Sequence, residues 1–188
     1  MAETQQIHLG LAERGKMHAL DGQYELALAY YRQAMRMTVA AGDPEILFRH
    51  YLICIVECLE RMGCHEEVLA YCDRLIAFYA GRPELDALSR AELAATHERR
   101  GAVLLKMGRR AEAEAALRRA AQLAREAGRQ LPLTEVLLDW QRRGLHVDAR
   151  RILSEQERHH YFSVRHDTVD SSRAVEVDPR ILGAPMLV

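Results

Sequence analysis

The sequence predicts an all-α fold built from about four antiparallel helix pairs. Three observations indicate it: apolar residues recur at helical spacing, glycines mark four similar turns, and small residues return at fixed offsets around those turns. The stretch from Ala113 to Leu123 illustrates the first point, because Ala113, Ala116, Leu117, Ala120 and Leu123 fall on one face of an amphipathic helix. Strands are not expected.

The predicted helices are separated by segments that stop one helix and start the next. Residues 41–44, 81–83 and 128–132 carry the glycines and prolines that do so between the pairs. Within each pair a single glycine marks the turn. The expected helices are residues 4–20, 24–41, 44–62, 65–80, 85–107, 110–127, 132–143 and 146–161.

The first pair carries the fullest set of motif residues. Gly22 permits the tight turn after the first helix, Tyr24 packs over that turn, and Ala27 is small because the two helices cross closely there. The complete set is Gly15, Gly22, Tyr24, Ala27, Tyr31 and Ala34.

Later copies keep the turn glycine and fewer of the other positions. The second has Gly63 but places Val68 and Leu75 where the first has alanines. The third is closer to the first, and the fourth keeps little beyond its glycine. The matching residues of the third and fourth copies are Gly101, Gly108, Ala113, Ala120, Gly144 and Ala149.

This pattern resembles the tetratricopeptide repeat (TPR) family over roughly residues 4–161, although the turn glycines are spaced more widely than the ~34 residues of the standard unit. The resemblance implies a TPR-like α-solenoid domain over residues 4–161. It also implies a concave groove, lined by the first helix of every pair, that binds extended or helical peptides. The chain looks like a bacterial TPR adaptor or chaperone-like protein.

Counting back from the turn glycines gives the expected groove lining. It mixes aliphatic residues with single charges, which suits a peptide that carries a few apolar anchors. The absence of asparagine argues against the family's clamp for a partner's C-terminal carboxylate, which is built with asparagines and lysines. The expected lining residues are Lys16, Leu20, His50, Ile53, Glu57, Arg61, Glu98, Lys106, Leu138 and Arg142.

The charge pattern argues against nucleic acid as the partner. The net charge is -1 and the isoelectric point is about 6.8. Paired arginines in the C-terminal half are interleaved with acidic residues, and adjacent helical residues point about 100° apart, so the pairs form no continuous basic stripe.

Cysteines and histidines raise the alternative of a metal site or an enzyme. The four cysteines contain no C-x-x-C pair and are interpreted as buried small side chains, and the late histidines lack H-E-x-x-H spacing. We therefore expect no catalytic residue, no metal and no cofactor. A metal-dependent enzyme centred on the late histidines stays open as an alternative. The residues in question are Cys54, Cys58, Cys64, Cys72, His146, His159, His160 and His166.

The expected location is the cytoplasm of a bacterium, away from membranes. No apolar run approaches the ~20 residues that span a bilayer, and residues 1–10 lack the basic start and apolar block of a secretory signal. Only Lys16 and Lys106 are lysines among the 26 Lys and Arg residues, which indicates a GC-rich coding sequence.

Residues 162–188 form a C-terminal tail without helical period, which we expect to be extended or disordered unless it docks. Its apolar end is expected to dock on the chain's own groove, where it would be autoinhibitory, or on a second subunit, where it would make a homo-oligomer. That end consists of Ile181, Leu182, Pro185, Met186, Leu187 and Val188.

Taken together, these features predict a non-catalytic protein–protein interaction module that acts as an adaptor, co-chaperone or regulatory scaffold. Its partner is expected to be another protein or a peptide that binds in the concave groove. The alternative within this class is a secretion-type chaperone that holds an apolar client.

Overall fold

The computed structural model describes residues 2–178 and Leu182. Among these residues the chain is all-helical, which confirms the predicted class, and the only other regular elements are two single-turn 3-10 helices at His166–Thr168 and Ser171–Arg173. The α-helices are α1 (Ala2–Leu20), α2 (Tyr24–Ala41), α3 (Glu45–Arg61), α4 (His65–Ala80), α5 (Ala87–Lys106), α6 (Arg110–Glu126), α7 (Pro132–Arg142) and α8 (Ala149–Arg158).

The chain divides into two compact units. Within the described residues, unit 1 contains residues 2–63 together with 162–178 and Leu182, and unit 2 contains residues 64–161. Each described unit has an apolar core of its own. No described helix is both long enough and apolar enough to cross a bilayer.

In unit 1, α1 folds back onto α2 through the turn at Gly22, which adopts a φ of +75° that glycine accepts without strain. Gly15 brings the two helices close together, because a Cβ atom there would lie 2.8 Å from the Tyr31 ring. Ala27 and Ala34 are fully buried at this contact, and Tyr24 packs partly buried against the same core.

A buried polar group joins α1 to α3 at the other end of this hairpin. The His8 side chain is fully buried, with Nδ1 2.8 Å from the Tyr51 hydroxyl and Nε2 3.0 Å from Asp43 Oδ2. The contact with Tyr51 joins α1 to α3, and the contact with Asp43 places a carboxylate beside the buried imidazole.

In unit 2, α5 and α6 pack along their length on either side of the turn at Gly108. Gly101 lies directly under Leu117, because a Cβ atom there would be 2.5 Å from Leu117 Cγ. Ala113 and Ala120 are fully buried beside it. Small residues therefore occupy a close helix crossing here, as they do in the first hairpin.

The eighth helix is shorter than the predicted range 146–161. It begins at Ala149 because the carboxylate of Asp148 accepts a hydrogen bond from the Arg151 N–H at 2.8 Å, which caps the helix. It ends at Arg158, two residues before His160 takes a left-handed φ of +52°. Ala149 is thus the first helical residue and is exposed, so it does not occupy a close crossing; Ile152 and Gln156 are the fully buried residues of α8.

Two glycine substitutions test these helix crossings. We expect Gly15→Ala and Gly101→Ala each to lower the free energy of unfolding by about 1–3 kcal/mol, because the added methyl overlaps Tyr31 or Leu117 in a packed core. Urea denaturation measures the change. Gly81→Ala is the control, since its Cβ would meet nothing closer than 4.0 Å. Variants as stable as the parent would place these crossings elsewhere.

Candidate functional site

The surface of α1 and α3 in unit 1 holds an extended piece of the same chain. We call residues 162–178 and Leu182 the C-terminal segment. Apart from its two 3-10 turns this segment has no regular structure, and its main-chain groups are bound by side chains and backbone of α1 and α3. The helix surface that contacts it is called the α1/α3 face below.

Glu57 of α3 binds the start of the C-terminal segment. Its Oε1 accepts hydrogen bonds from the N–H and hydroxyl of Ser163, both at 2.8 Å, and its Oε2 accepts the Val164 N–H at 3.2 Å. The Glu57 residue is only 3% exposed. A buried carboxylate therefore supplies the acceptors that two backbone donors need.

Apolar and cation–π contacts anchor the same stretch. Phe162 is 2% exposed, and the guanidinium carbon of Arg61 lies 4.0 Å from the centre of its ring. Val164 is 8% exposed and belongs to the core of unit 1. Two apolar side chains thus flank the main-chain contacts made by Glu57.

On α1, an acid–base pair binds the middle of the segment. Lys16 Nζ lies 2.8 Å from Glu13 Oε1 and also donates to the Thr168 carbonyl at 3.4 Å. Glu13 Oε2 accepts the Asp170 N–H at 2.8 Å. The pair therefore offers both a donor and an acceptor to a passing main chain.

Gly10 provides the closest approach between α1 and the segment. The Val175 N–H donates to the Gly10 carbonyl at 3.0 Å. A Cβ atom on Gly10 would lie 2.4 Å from Val175 Cγ2 and 2.8 Å from the Arg173 carbonyl oxygen. Beside it, Arg14 pairs with Glu176 at 3.3 Å. The missing side chain at Gly10 therefore makes room for the segment's backbone.

The apolar end expected to dock is represented in the described residues by Leu182. Its side chain is buried in the core of unit 1, and its carbonyl accepts a hydrogen bond from Arg36 Nη2 at 2.9 Å. The other members of that end lie outside the described residues: Ile181, Pro185, Met186, Leu187 and Val188.

The structure brings Lys16, Glu57 and Arg61 together on the C-terminal segment. His50 is near them: burial lowers its pKa, the Lys16 charge lowers it further, and the carboxylates of Glu57 and Glu13 oppose the shift. Two further residues expected in the groove have apolar side chains and make no polar contact with the described segment. They are Leu20, which packs against the unit 1 core, and Ile53, which is partly buried.

In unit 2, the expected groove residue Glu98 makes hydrogen bonds within the unit. Glu98 is 7% exposed, and its Oε1 accepts the Thr134 N–H at 3.0 Å and the Thr134 hydroxyl at 2.8 Å. It thereby caps α7, whose own N-cap residue, Leu131, has no acceptor in its side chain. Its carboxylate is therefore hydrogen-bonded within unit 2.

The remaining groove residues of unit 2 do not converge on a shared feature. Leu138 packs against the core formed with α7 and α8, Lys106 is partly buried, and the exposed Arg142 bonds Asp139 of its own helix.

The cysteines and late histidines form no reactive cluster in the part of the chain that is described. Burial raises the pKa of both Cys54 and Cys58, to about 12 for Cys58, so these thiols stay protonated at neutral pH. His159 Nε2 lies 3.2 Å from Glu155 Oε2 within α8. Over residues 2–178 and Leu182, no three His, Cys, Asp or Glu side chains are grouped so that they could hold a metal ion.

His97, on α5 of unit 2, is a half-buried histidine that the sequence pattern did not single out. Burial lowers its pKa from 6.5 to about 4, the charges of Arg119 and Arg100 lower it further, and Asp73 opposes the shift. The folded chain therefore binds a proton at His97 only at a lower pH than the unfolded chain does.

This difference predicts a pH dependence of stability. Because the unfolded chain takes up the proton first, we expect the free energy of unfolding to fall as the pH decreases from 6.5 through about 4. His97→Gln should remove this part of the dependence. An NMR titration of the imidazole in the folded chain should give a pKa of about 4; a midpoint near 6.5 would contradict the assignment.

Comparisons of the chain with protein-family models, with curated proteins and with solved structures each find no match. The likeness to TPR proteins therefore depends on the residue pattern alone.

Proposed function

We propose that the protein is a non-catalytic protein–protein interaction module, a TPR-like adaptor or regulatory scaffold, that binds an extended peptide on the α1/α3 face. One observation carries the proposal: this face already holds an extended polypeptide by its main chain. The acceptors are Glu57, Glu13 and the Gly10 carbonyl, and the donor is Lys16.

Main-chain recognition supports binding of another polypeptide because every peptide carries the same backbone donors and acceptors. Side-chain contacts then provide selectivity. On this face they are the cation–π contact of Arg61 with an aromatic ring and the burial of an aliphatic side chain next to it, which Phe162 and Val164 now supply. A partner is expected to present a comparable extended stretch.

The C-terminal segment competes with such a partner. A tethered segment acts at a high effective concentration, of the order of mM for a short flexible linker, so a free peptide must overcome that advantage. The segment would thus raise the partner concentration that is needed for binding. This is the regulatory part of the proposal.

A chain that ends at residue 169 tests the proposal, because it keeps the Glu57 contacts and frees the α1 part of the face. We expect a fluorescent peptide with the sequence of residues 170–182 to bind it saturably, as measured by fluorescence anisotropy. Gly10→Ala in the shortened chain should weaken this binding at least tenfold, because the new methyl occupies the position of Val175 and the Arg173 carbonyl.

Gly81→Ala in the same shortened chain is the matched control and should leave the affinity unchanged. Circular dichroism checks that each variant keeps the parent's helicity. Absence of saturable binding by a helical shortened chain, or equal affinity in the Gly10→Ala variant, would show that the face does not bind peptides in this way.

A further inference from the structure

Unit 2 contains a cavity of about 950 Å³ between α4, α5, α6 and the loop that joins α4 to α5. One stripe of each helix lines it. On α5 the stripe is Arg90, Leu93 and His97, at positions i, i+3 and i+7. The stripes of the other two helices are Ile76, Tyr79 and Ala80 on α4, and Arg119, Leu123 and Glu126 on α6.

Part of the cavity wall is apolar, where it borders a buried cluster. Leu93 and Leu123 are 6% and 2% exposed and belong to that cluster, and Ile76 packs against it. The Tyr79 hydroxyl, which could have made the wall polar, is bonded to Glu92. A volume of this size is in the range of small-molecule sites.

Some charged side chains that line the cavity have partners within the chain, and others do not. The guanidinium groups of Arg90 and Arg119 make no ion pair or hydrogen bond with any described residue, and Arg82 is stacked on the rings of Phe78 and Tyr79. Two of the three carboxylates that line the cavity already accept hydrogen bonds from other groups of the chain. Asp86 caps α5 through the Ser89 N–H, and Glu126 accepts a bond from Gln122.

The two ends of the cavity differ in the charged residues that line them. Asp86 and Glu84 lie in the α4–α5 loop, whereas His97 is eleven residues further along α5, about 16 Å at 1.5 Å per residue. Arg119 acts electrostatically on His97 and marks the same end. The end away from the loop is therefore cationic, and Arg90 lies between the two ends.

We propose that this cavity binds a small amphipathic carboxylate, whose anionic group is held by Arg119 and Arg90 and whose apolar chain lies on Ile76, Leu93 and Leu123. A guanidinium binds a carboxylate through two parallel N–H donors, and here such donors stand beside an apolar wall without a partner in the described chain. The ligand's apolar chain would cover the partly exposed Ile76 and rest against Leu93 and Leu123.

Octanoate and its neutral analogue octanamide are the probes for this site in the full chain. Isothermal titration should show saturable binding of octanoate with one site per chain and at least tenfold weaker binding of octanamide. Amide shifts of the ¹⁵N-labelled protein should map octanoate to residues 76–97 and 119–126. Arg119→Gln should weaken octanoate binding at least tenfold, and Arg90→Gln should weaken it as well.

Arg118→Gln is the matched control, because Arg118 is the adjacent residue on α6, does not line the cavity and pairs with Glu114. Its octanoate affinity should equal the parent's. The proposal is overturned if octanoate does not bind saturably, if octanamide binds equally well, if the shifts map elsewhere, or if Arg119→Gln and Arg90→Gln leave the affinity unchanged.

Discussion

Replacing Glu57 with alanine is expected to lower the free energy of unfolding by about 3–5 kcal/mol, the largest loss that we predict for a single side chain. The reason is that the Glu57 carboxylate is the acceptor for the Ser163 N–H, the Ser163 hydroxyl and the buried Val164 N–H. Its removal leaves these donors, of which the Val164 N–H is buried, without the acceptor that they have in the parent. Urea denaturation measures the loss.

Glu45→Ala is the control for that variant, because Glu45 is also an acid on α3 but its side chain is 74% exposed. We expect its effect to be below about 0.5 kcal/mol. Glu57→Gln should fall between the two, since the amide keeps one acceptor oxygen. A Glu57→Ala variant with the parent's stability would contradict the role given to this carboxylate.

Gly10→Ala in the full chain is expected to release the C-terminal segment from α1. The methyl would overlap both the Val175 side chain and the Arg173 carbonyl. Trypsin should then cleave after Arg173 at least tenfold faster than in the parent, because the bond is held on the helix only while the segment is docked.

The effect of Gly10→Ala on helix stability has the opposite sign to its expected effect on the docking of the segment. In an ordinary helix interior the same change raises stability by about 1 kcal/mol, so a released segment cannot be attributed to a weakened helix. Gly81→Ala should leave the cleavage rate unchanged. Unchanged cleavage in Gly10→Ala, together with higher stability, would show that the segment does not pack against this residue.

Helix positions could be predicted from the sequence because the signals are local. Turn glycines, such as Gly22 and Gly108, sit where a left-handed residue ends one helix, and the structure gives them positive φ angles. The predicted range of α2 is also its observed range. The error at α8 arose because Asp148 was not recognised as its cap.

The site could be predicted only in part because its contacts join residues far apart in the sequence. Glu57 and Ser163 are 106 residues apart, and the periodicity of the sequence gives no indication that two such distant residues are in contact. The sequence pattern predicts Lys16, Glu57 and Arg61 from their place on the inner helices, but it does not predict their contacts with the C-terminal segment. Gly10 was the available signal, since an isolated glycine inside a helix indicates a close approach of another chain.

The measurement that tests the central proposal most directly compares one peptide with two forms of the chain. A fluorescent peptide of residues 170–182 is titrated with the full chain and with the chain that ends at residue 169. If the α1/α3 face binds extended peptides and the C-terminal segment occupies it, the full chain should bind at least tenfold more weakly. Equal affinity of the two forms would contradict the proposal, because the segment and the peptide would then not share the same surface.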